Sequence, residues 1–133
     1  MTISIVVHLQ AKSALHTRHL LRSLEAQQGV DTEILLFCSS DINQLPKLPE
    51  SWKTHQLEPN TSSFDVWTKG LELSSGEHIA FFQTSVVLHP YHLACCLNEL
   101  ESQSADAIFA QPQFIDQELF PIIGAGLPVP ESG

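Results

Sequence analysis

The amino-acid sequence predicts an α/β domain in three layers, a mostly parallel sheet with helices on both faces. Apolar segments of strand length alternate along the 133 residues with segments of amphipathic helical spacing. The connections between them are short, so we expect each helix to cross over in a right-handed sense to a parallel strand. The chain is also long enough to bury about two-thirds of its extended surface.

The first predicted unit is a strand, a helix and a second strand. Residues 3–9 are β-branched and almost continuously apolar, which is typical of a strand buried on both faces. A helix follows over 14–27, with Ser13 as its N-cap and Gly29 closing it. Residues 33–38 form the second buried strand and lead into a turn of polar residues.

The middle of the chain is predicted to hold a short strand and a second helix. The strand falls within 52–58, and Ser62 or Ser63 caps the helix that follows. Gly76 is expected at the left-handed position that ends this helix. Phe64, Trp67 and Leu71 fall at i, i+3 and i+7 of this helix. Of the aromatic side chains of the helix and the next strand, we expect four in the core rather than on a sugar-binding platform: Phe64, Trp67, Phe81 and Phe82.

The last predicted elements are a third long strand, a third helix and a short fourth strand. Residues 78–83 form the strand, and Pro90 stands in the first turn of the helix. Residues 107–110 are predicted to be a further strand. We therefore expect one α/β domain over 1–115 and a tail rich in Pro and Gly over 116–133.

Charge and composition exclude several classes of function. Fifteen acidic and six basic residues give a net charge of −9, and without a basic cluster the chain is a poor ligand for nucleic acid or for anionic membranes. The apolar segment 3–9 is too short to insert into a membrane and lacks the basic flank of a signal peptide. Three cysteines, two of them adjacent, predict a reduced cytoplasmic protein.

The predicted site lies where the parallel strands end. Ligands of such sheets bind beyond the carboxyl ends of the strands, at a crevice between neighbouring loops. The sequence assigns neither a catalytic residue nor a metal ligand there. The residues expected to line the cleft and contact a ligand are His8, Cys38, Ser39, Gln83 and Ser85.

Two more specific kinds of site are alternatives to this ligand-binding cleft. Cys38 and His8 end neighbouring strands, so they could form a nucleophile–base pair, with Asp41 as the nearest acid. Soft ligands on one face of the third helix would suit zinc, although Cys96 also belongs to an apolar stripe. The residues of this zinc hypothesis are His89, His92, Cys95 and Cys96.

Several segments resemble the nucleotide-binding half of the family 2 glycosyltransferases. Residues 3–7 and 20–27 are similar to the first strand and helix of that family, and residues 33–37 to its second strand. The most specific similarity covers 69–82 and 87–90, which include Ser-Ser-Gly-Glu and His-Pro. The resemblance implies the GT-A fold, a Rossmann-like half that binds a nucleotide-sugar.

The residues that perform the chemistry of that family are absent. An Asp usually ends the second strand and holds the base, but Cys38 stands there. The metal-binding Asp-x-Asp is replaced by Gln83, Thr84 and Ser85. One carboxylate about 4 Å from a divalent cation contributes roughly 8 kcal/mol of gross Coulomb energy at an effective dielectric near 20, which neutral side chains do not supply.

These observations favour a degenerate glycosyltransferase-like domain that acts as a binding or scaffold module. One alternative is a transferase that uses a sugar nucleotide without Asp-x-Asp, or that is completed by further sequence, and only then would Mn²⁺ or Mg²⁺ be required. Another is an oligomerising or partner-binding domain that uses an open sheet edge, including association with its own copies. No cofactor is expected under the leading hypothesis.

Overall fold

A computed structural model of the chain describes residues 2–10, 14–83 and 86–107. The chain divides into two compact units, with the boundary between Leu93 and Ala94. The first unit contains a four-stranded sheet and two helices, and a third helix begins at its end. The elements, in chain order, are β1 (Thr2–Leu9), α1 (Ala14–Glu25), β2 (Asp31–Cys38), a 3₁₀ turn (Ile42–Gln44), β3 (Lys53–Gln56), α2 (Ser63–Leu73), β4 (His78–Gln83) and α3 (His92–Ser102).

The four strands form one parallel sheet in the order β3-β2-β1-β4. Helix α1 connects β1 to β2 in one direction along the sheet, and α2 connects β3 to β4 in the opposite direction. Right-handed crossovers therefore place the two helices on opposite faces. The predicted α/β class with helices on both faces of a parallel sheet is confirmed.

Strand β1 lies at the centre of the core because both of its faces are covered. Val6, Leu35, Phe37 and Val66 are almost inaccessible and form a cluster on the face that carries α2. On the other face the alternate residues of β1 are equally buried, and so are three leucines of α1: Leu20, Leu21 and Leu24. A strand buried on both faces is what the nearly continuous apolar run predicts.

Helix α2 lies very close to β1 because a glycine stands at the contact. A Cβ placed on Gly70 would lie 2.4 Å from Cγ1 of Val6. The helix begins at a Ser62 cap, whose Oγ accepts a hydrogen bond from the Asp65 amide at 3.1 Å, so the first of the two predicted caps is the correct one.

The expectation that Phe64 and Phe81 lie in the core is wrong, since their exposed fractions are 77% and 44%. Leu71, at the same helical spacing as Phe64, is 57% exposed. Because α2 contacts β1 through Gly70, Val66 is the residue that points toward the sheet. Val66 stands one residue before Trp67 of the predicted Phe64–Trp67–Leu71 stripe, and one residue step rotates a side chain by about 100° around the helix. Among Phe64, Trp67 and Leu71, only Trp67 is half-buried, and the centre of its ring lies 5.1 Å from the centre of the Phe81 ring.

The turn between α2 and β4 is fastened to the amino-terminal ends of β1 and β2. The Glu33 carboxylate accepts hydrogen bonds from the Ser4 hydroxyl (2.8 Å), the Ser75 amide (2.9 Å) and the Ser75 hydroxyl (2.7 Å). Ser4 Oγ in turn accepts from the Gly76 amide at 2.8 Å. These bonds, those from Ser75 foremost, lower the pKa of Glu33 to about 2, and Lys53 3.5 Å away adds to the effect.

Two glycines near helix ends have different roles. Gly29 has a φ of 81°, a conformation that glycine adopts readily, but it lies four residues beyond the end of α1 at Glu25, so the prediction that it closes this helix is wrong. Gly76 does not adopt the predicted left-handed conformation. Ser74 ends α2 instead, and Gly76 is required by space, because a Cβ there would lie 2.7 Å from the amide nitrogen of Ser4 and 2.8 Å from the carbonyl oxygen of Thr2.

Some predicted boundaries move, and some predictions fall outside the described residues. Helix α1 ends at Glu25, two residues early, because the Gln27 side chain donates to the carbonyl oxygens of Ser23 and His89 and accepts from the Leu93 amide. Pro90 lies in the turn before α3 rather than within its first turn. The Ser13 cap, most of the 107–110 strand and the 116–133 tail lie outside the described residues.

Candidate functional site

The candidate site lies at the carboxyl ends of β1 and β4, beside the start of α2. His8 is paired across the sheet with Phe37 on β2 and with Gln83 on β4. Side chains directly opposite each other in a sheet share a face, so His8 and Gln83 both point toward α2. The first residue of that helix, Ser63, stands where their side chains meet.

His8, Ser63 and Gln83 form a small polar network. His8 Nδ1 lies 3.1 Å from Ser63 Oγ, and Gln83 Nε2 donates to the same hydroxyl at 3.3 Å. A hydroxyl has one proton and can accept as well, so Ser63 can donate to a neutral His8 ring while it accepts from Gln83. The rings of His8 and Trp67 are perpendicular to each other, with their centres 6.2 Å apart.

The network is electrically neutral around neutral pH. His8 is 2% exposed, and burial lowers the pKa of its imidazole. Ser63 and Gln83 have no charge, so the three side chains present dipoles only. Sequence reasoning identified His8 and Gln83, but it considered Ser63 only as a helix cap. The spacing of a serine at the start of a helix gives no indication of its contact with a residue 55 positions earlier.

Cys38 does not join this network, and the structure contradicts the alternative of a Cys38–His8 nucleophile–base pair. Cys38 is paired with Leu9, whereas His8 is paired with Phe37. Because successive side chains of a strand point to opposite faces, Cys38 and His8 lie on opposite sides of the sheet. Cys38 is fully buried, and its burial raises the pKa of the thiol to about 11. Its thiol is therefore protonated and does not line an open cleft.

The serine after Cys38 has a structural role. The backbone amide and the hydroxyl of Ser39 both donate to the carbonyl oxygen of Leu9, each at 3.1 Å. These two bonds hold the end of β2 against the end of β1. Ser85, the remaining predicted cleft residue, lies outside the described residues, as does Thr84.

A glutamine that the sequence did not single out holds the neighbouring loop. Gln56, the last residue of β3, donates through Nε2 to the carbonyl oxygens of Cys38 (3.1 Å) and Ser40 (2.7 Å). Its Oε1 accepts from the Ile42 amide at 3.0 Å. Because Gln56 satisfies backbone groups of the loop after β2, that loop is fixed beside the site without any ligand.

The zinc hypothesis on His89, His92, Cys95 and Cys96 is not supported. Within residues 2–10, 14–83 and 86–107, no group of three or more His, Cys, Asp or Glu side chains is arranged to hold a metal ion. Burial raises the pKa of Cys96, which opposes the thiolate that zinc requires.

Comparisons with known proteins show a fold and no family. No family model matches the chain, and no curated protein matches it. It is similar to a solved structure of S. aureus TarS, with 18% sequence identity and a TM-score of 0.60 over 78% of this chain and 20% of that chain. A structure titled S. aureus TarS 1-349 gives 18% identity and a TM-score of 0.58, over 78% of this chain and 33% of that one.

These similarities show that the chain shares the α/β fold of the matched part of TarS, and at 18% identity they show the fold alone. The chain spans a third or less of the length of the TarS chains that it matches. None of the described helices is both long enough and apolar enough to cross a membrane.

Proposed function

We propose that this chain is a domain of family 2 glycosyltransferase descent that acts as a binding or scaffold module and does not catalyse metal-dependent sugar transfer. The observation that carries the proposal is the His8–Ser63–Gln83 network. It occupies the carboxyl ends of β1 and β4 with neutral side chains that already bond to one another.

Metal-dependent transfer needs anionic oxygens to hold the cation that bridges the diphosphate of a sugar nucleotide. At the end of β4 the sequence provides Gln83, Thr84 and Ser85, and none of them is ionised. At the end of β2 it provides the protonated Cys38 thiol. Dipoles of this kind can bind a hydroxyl or an amide of a ligand, but they do not recruit a divalent cation from solution.

The competing function is a sugar-nucleotide transferase that works without Asp-x-Asp or that further sequence completes. The chain corresponds to 20% and 33% of the two TarS chains, so an acceptor site and a catalytic base can come from elsewhere. This alternative requires the cleft to bind a nucleotide-sugar productively. One set of measurements separates the two functions.

The experiment is a thermal-shift screen with UDP-, GDP- and dTDP-sugars, each with and without Mn²⁺, paired with an assay for released nucleoside diphosphate. A ligand at 100 times its dissociation constant stabilises the folded state by about 2.7 kcal/mol. For a domain of this size that raises the melting temperature by roughly 5–15 °C.

The matched variants are Gln83→Ala, at the site, and Gln103→Ala, an exposed glutamine after α3. We expect no Mn²⁺-dependent release of nucleoside diphosphate. Any metal-independent thermal shift should be lost in Gln83→Ala and retained in Gln103→Ala. Mn²⁺-dependent release that Gln83→Ala abolishes would refute the proposal and establish the transferase.

A further inference from the structure

We infer that protonation of His55 on mild acidification releases β3 from the sheet, and with it the loop after β2, residues 39–52. His55 is the third residue of β3 and is paired with Phe37 on β2. The inference goes beyond the proposed function. It concerns how the loop beside the candidate site is held, and it does not depend on which ligand binds there.

The imidazole of His55 leaves one nitrogen without a hydrogen bond. Its ring is stacked on that of Phe37, with the ring centres 4.8 Å apart and the planes within 16° of parallel. Nε2 is closed off from solvent, and none of the described residues forms a hydrogen bond with it. A neutral ring can carry its proton on Nδ1 and leave Nε2 as an unpaired acceptor, whereas the protonated ring has a donor on each nitrogen. Protonation therefore adds a positive charge and an unpaired N–H group that solvent does not reach.

The charged groups that act on the His55 ring are both lysines. Lys53 stands two residues earlier on the same face of β3, and Lys69 acts on the ring from α2. On β2 the facing side chain is the uncharged Phe37, and the Glu33 carboxylate of that strand is 3.5 Å from Lys53. Burial is the main cause that lowers the pKa of His55, and Lys69 and then Lys53 lower it further. No carboxylate of the described residues offsets them.

The response to pH has a definite sign. The folded-state pKa of His55 lies below the ordinary value of 6.5, so the detached strand binds a proton more readily than the paired strand. The stabilisation from the neutral ring is present above about pH 6.5 and is lost as the pH falls through the folded-state pKa. The Glu33 carboxyl titrates below pH 4.5, so its effect falls in a separate range.

The response is local because few contacts hold β3. This strand has four residues, is the shortest of the described strands and is the last in the order of the sheet. Three of its residues are exposed: Lys53, Thr54 and Gln56. Short and exposed elements open at a lower free energy than the strands of a core. Gln56 follows His55 directly and holds the loop after β2 through its side-chain hydrogen bonds, so the loop is released with the strand.

Hydrogen exchange of the full chain at pH 7.5 and pH 5 tests the inference, with each rate divided by the intrinsic rate at that pH. One reporting amide is that of Leu57, which donates to the Cys38 carbonyl oxygen at 2.8 Å, and the other is that of Ile42, which donates to Gln56 Oε1 at 3.0 Å. Because pH 5 is about 1.5 pH units below the ordinary pKa, linkage limits the increase in opening to roughly thirtyfold, and we expect at least about threefold. At both pH values the two corrected rates should exceed those of the β1 amides.

Substitutions separate the titration of His55 from its packing. His55→Phe keeps an aromatic ring that cannot be protonated, so the two reporting amides should exchange at the same corrected rate at both pH values. His55→Gln is a second neutral replacement and should behave in the same way. The matched control is His19→Gln on α1, which should keep the wild-type response. Lys69→Gln should reduce the response, because it removes a positive charge that opposes protonation, and a purely structural role of His55 does not predict this effect.

Three results would overturn the inference. The first is a pair of corrected rates that do not change between pH 7.5 and pH 5. The second is an increase that His55→Phe and His55→Gln both retain, because another group then causes it. The third is a β1 amide that exchanges as fast as the Leu57 amide at pH 5, since the whole sheet then opens together. None of these results affects the test for release of nucleoside diphosphate.

Discussion

Glu33 offers a direct test of how the turn before β4 is held. Its carboxylate accepts three hydrogen bonds from Ser4 and Ser75, and the side chain is 16% exposed. The pKa falls from 4.5 to about 2 because the charged form is the one that these donors stabilise. A pKa difference of this size corresponds to about 3 kcal/mol of stability at neutral pH, and solvent at the rim of the network reduces it to about 2 kcal/mol.

The dependence on pH has a definite sign. Since the folded pKa lies below the unfolded one, the stabilisation is complete above about pH 4.5 and is lost as the pH falls toward 2. Linkage gives a loss of about 1 kcal/mol between pH 7 and pH 3 from this one group, because the folded-state carboxyl is still largely ionised at pH 3. Glu33→Gln keeps the size of the side chain but cannot ionise, so it lacks this loss.

The assay is urea unfolding at pH 7 and pH 3, followed by the fluorescence of Trp52 and Trp67. We expect Glu33→Gln to be about 2 kcal/mol less stable than the wild type at pH 7, with the difference shrinking to about 1 kcal/mol at pH 3. Glu50→Gln, an exposed loop variant, should stay within about 0.5 kcal/mol of the wild type. A Glu33→Gln difference below 0.5 kcal/mol at pH 7, or one that is unchanged at pH 3, would refute the role assigned to the network.

Three further predictions concern the core and the candidate site. Gly70→Ala should destabilise the chain by roughly 1–3 kcal/mol in urea, because the new methyl group meets Val6, whereas Gly→Ala in an open helix stabilises. Iodoacetamide at pH 8 should modify the exposed Cys95 and leave Cys38 unmodified in the folded chain, as peptide mass spectrometry can show. NMR titration should find the pKa of His8 below 6.5, so protonation on acidification favours unfolding; a pKa above 6.5 contradicts the buried neutral ring.

The segment that most resembles the glycosyltransferases is explained by packing. Gly70 allows α2 to lie on β1, and Gly76 fits where a side chain would meet the backbone of β1. Ser75 binds Glu33, and the Glu77 amide donates to the Thr2 carbonyl oxygen at 3.0 Å. These residues hold the sheet together at the end opposite the candidate site. The resemblance of this segment therefore indicates the fold, and it carries no information about sugar transfer.

The sequence alone was sufficient for the order of the elements and for the parallel sheet. Strand and helix periodicities are local properties, and the alternation of the two types leaves few ways to connect them. A serine cap at Ser62 or Ser63 and a short strand within 52–58 followed from residues that are adjacent in the chain, and the structure places them at Ser62 and Lys53–Gln56. For the same reason the sequence could predict a site beyond the carboxyl ends of the strands, and the function of that site stays a prediction.

Only the tertiary structure decided which side chains meet. A shift of one residue moves a strand side chain to the other face of the sheet, so Cys38 and His8 lie apart although their strands are neighbours. On a helix the same shift is a rotation of about 100°, and the glycine contact at Gly70 left Phe64 in solvent. The contacts between His8 and Ser63, and between Glu33 and Ser75, join residues 55 and 42 positions apart. No local sequence pattern predicts such contacts, because they form only when one element packs on another.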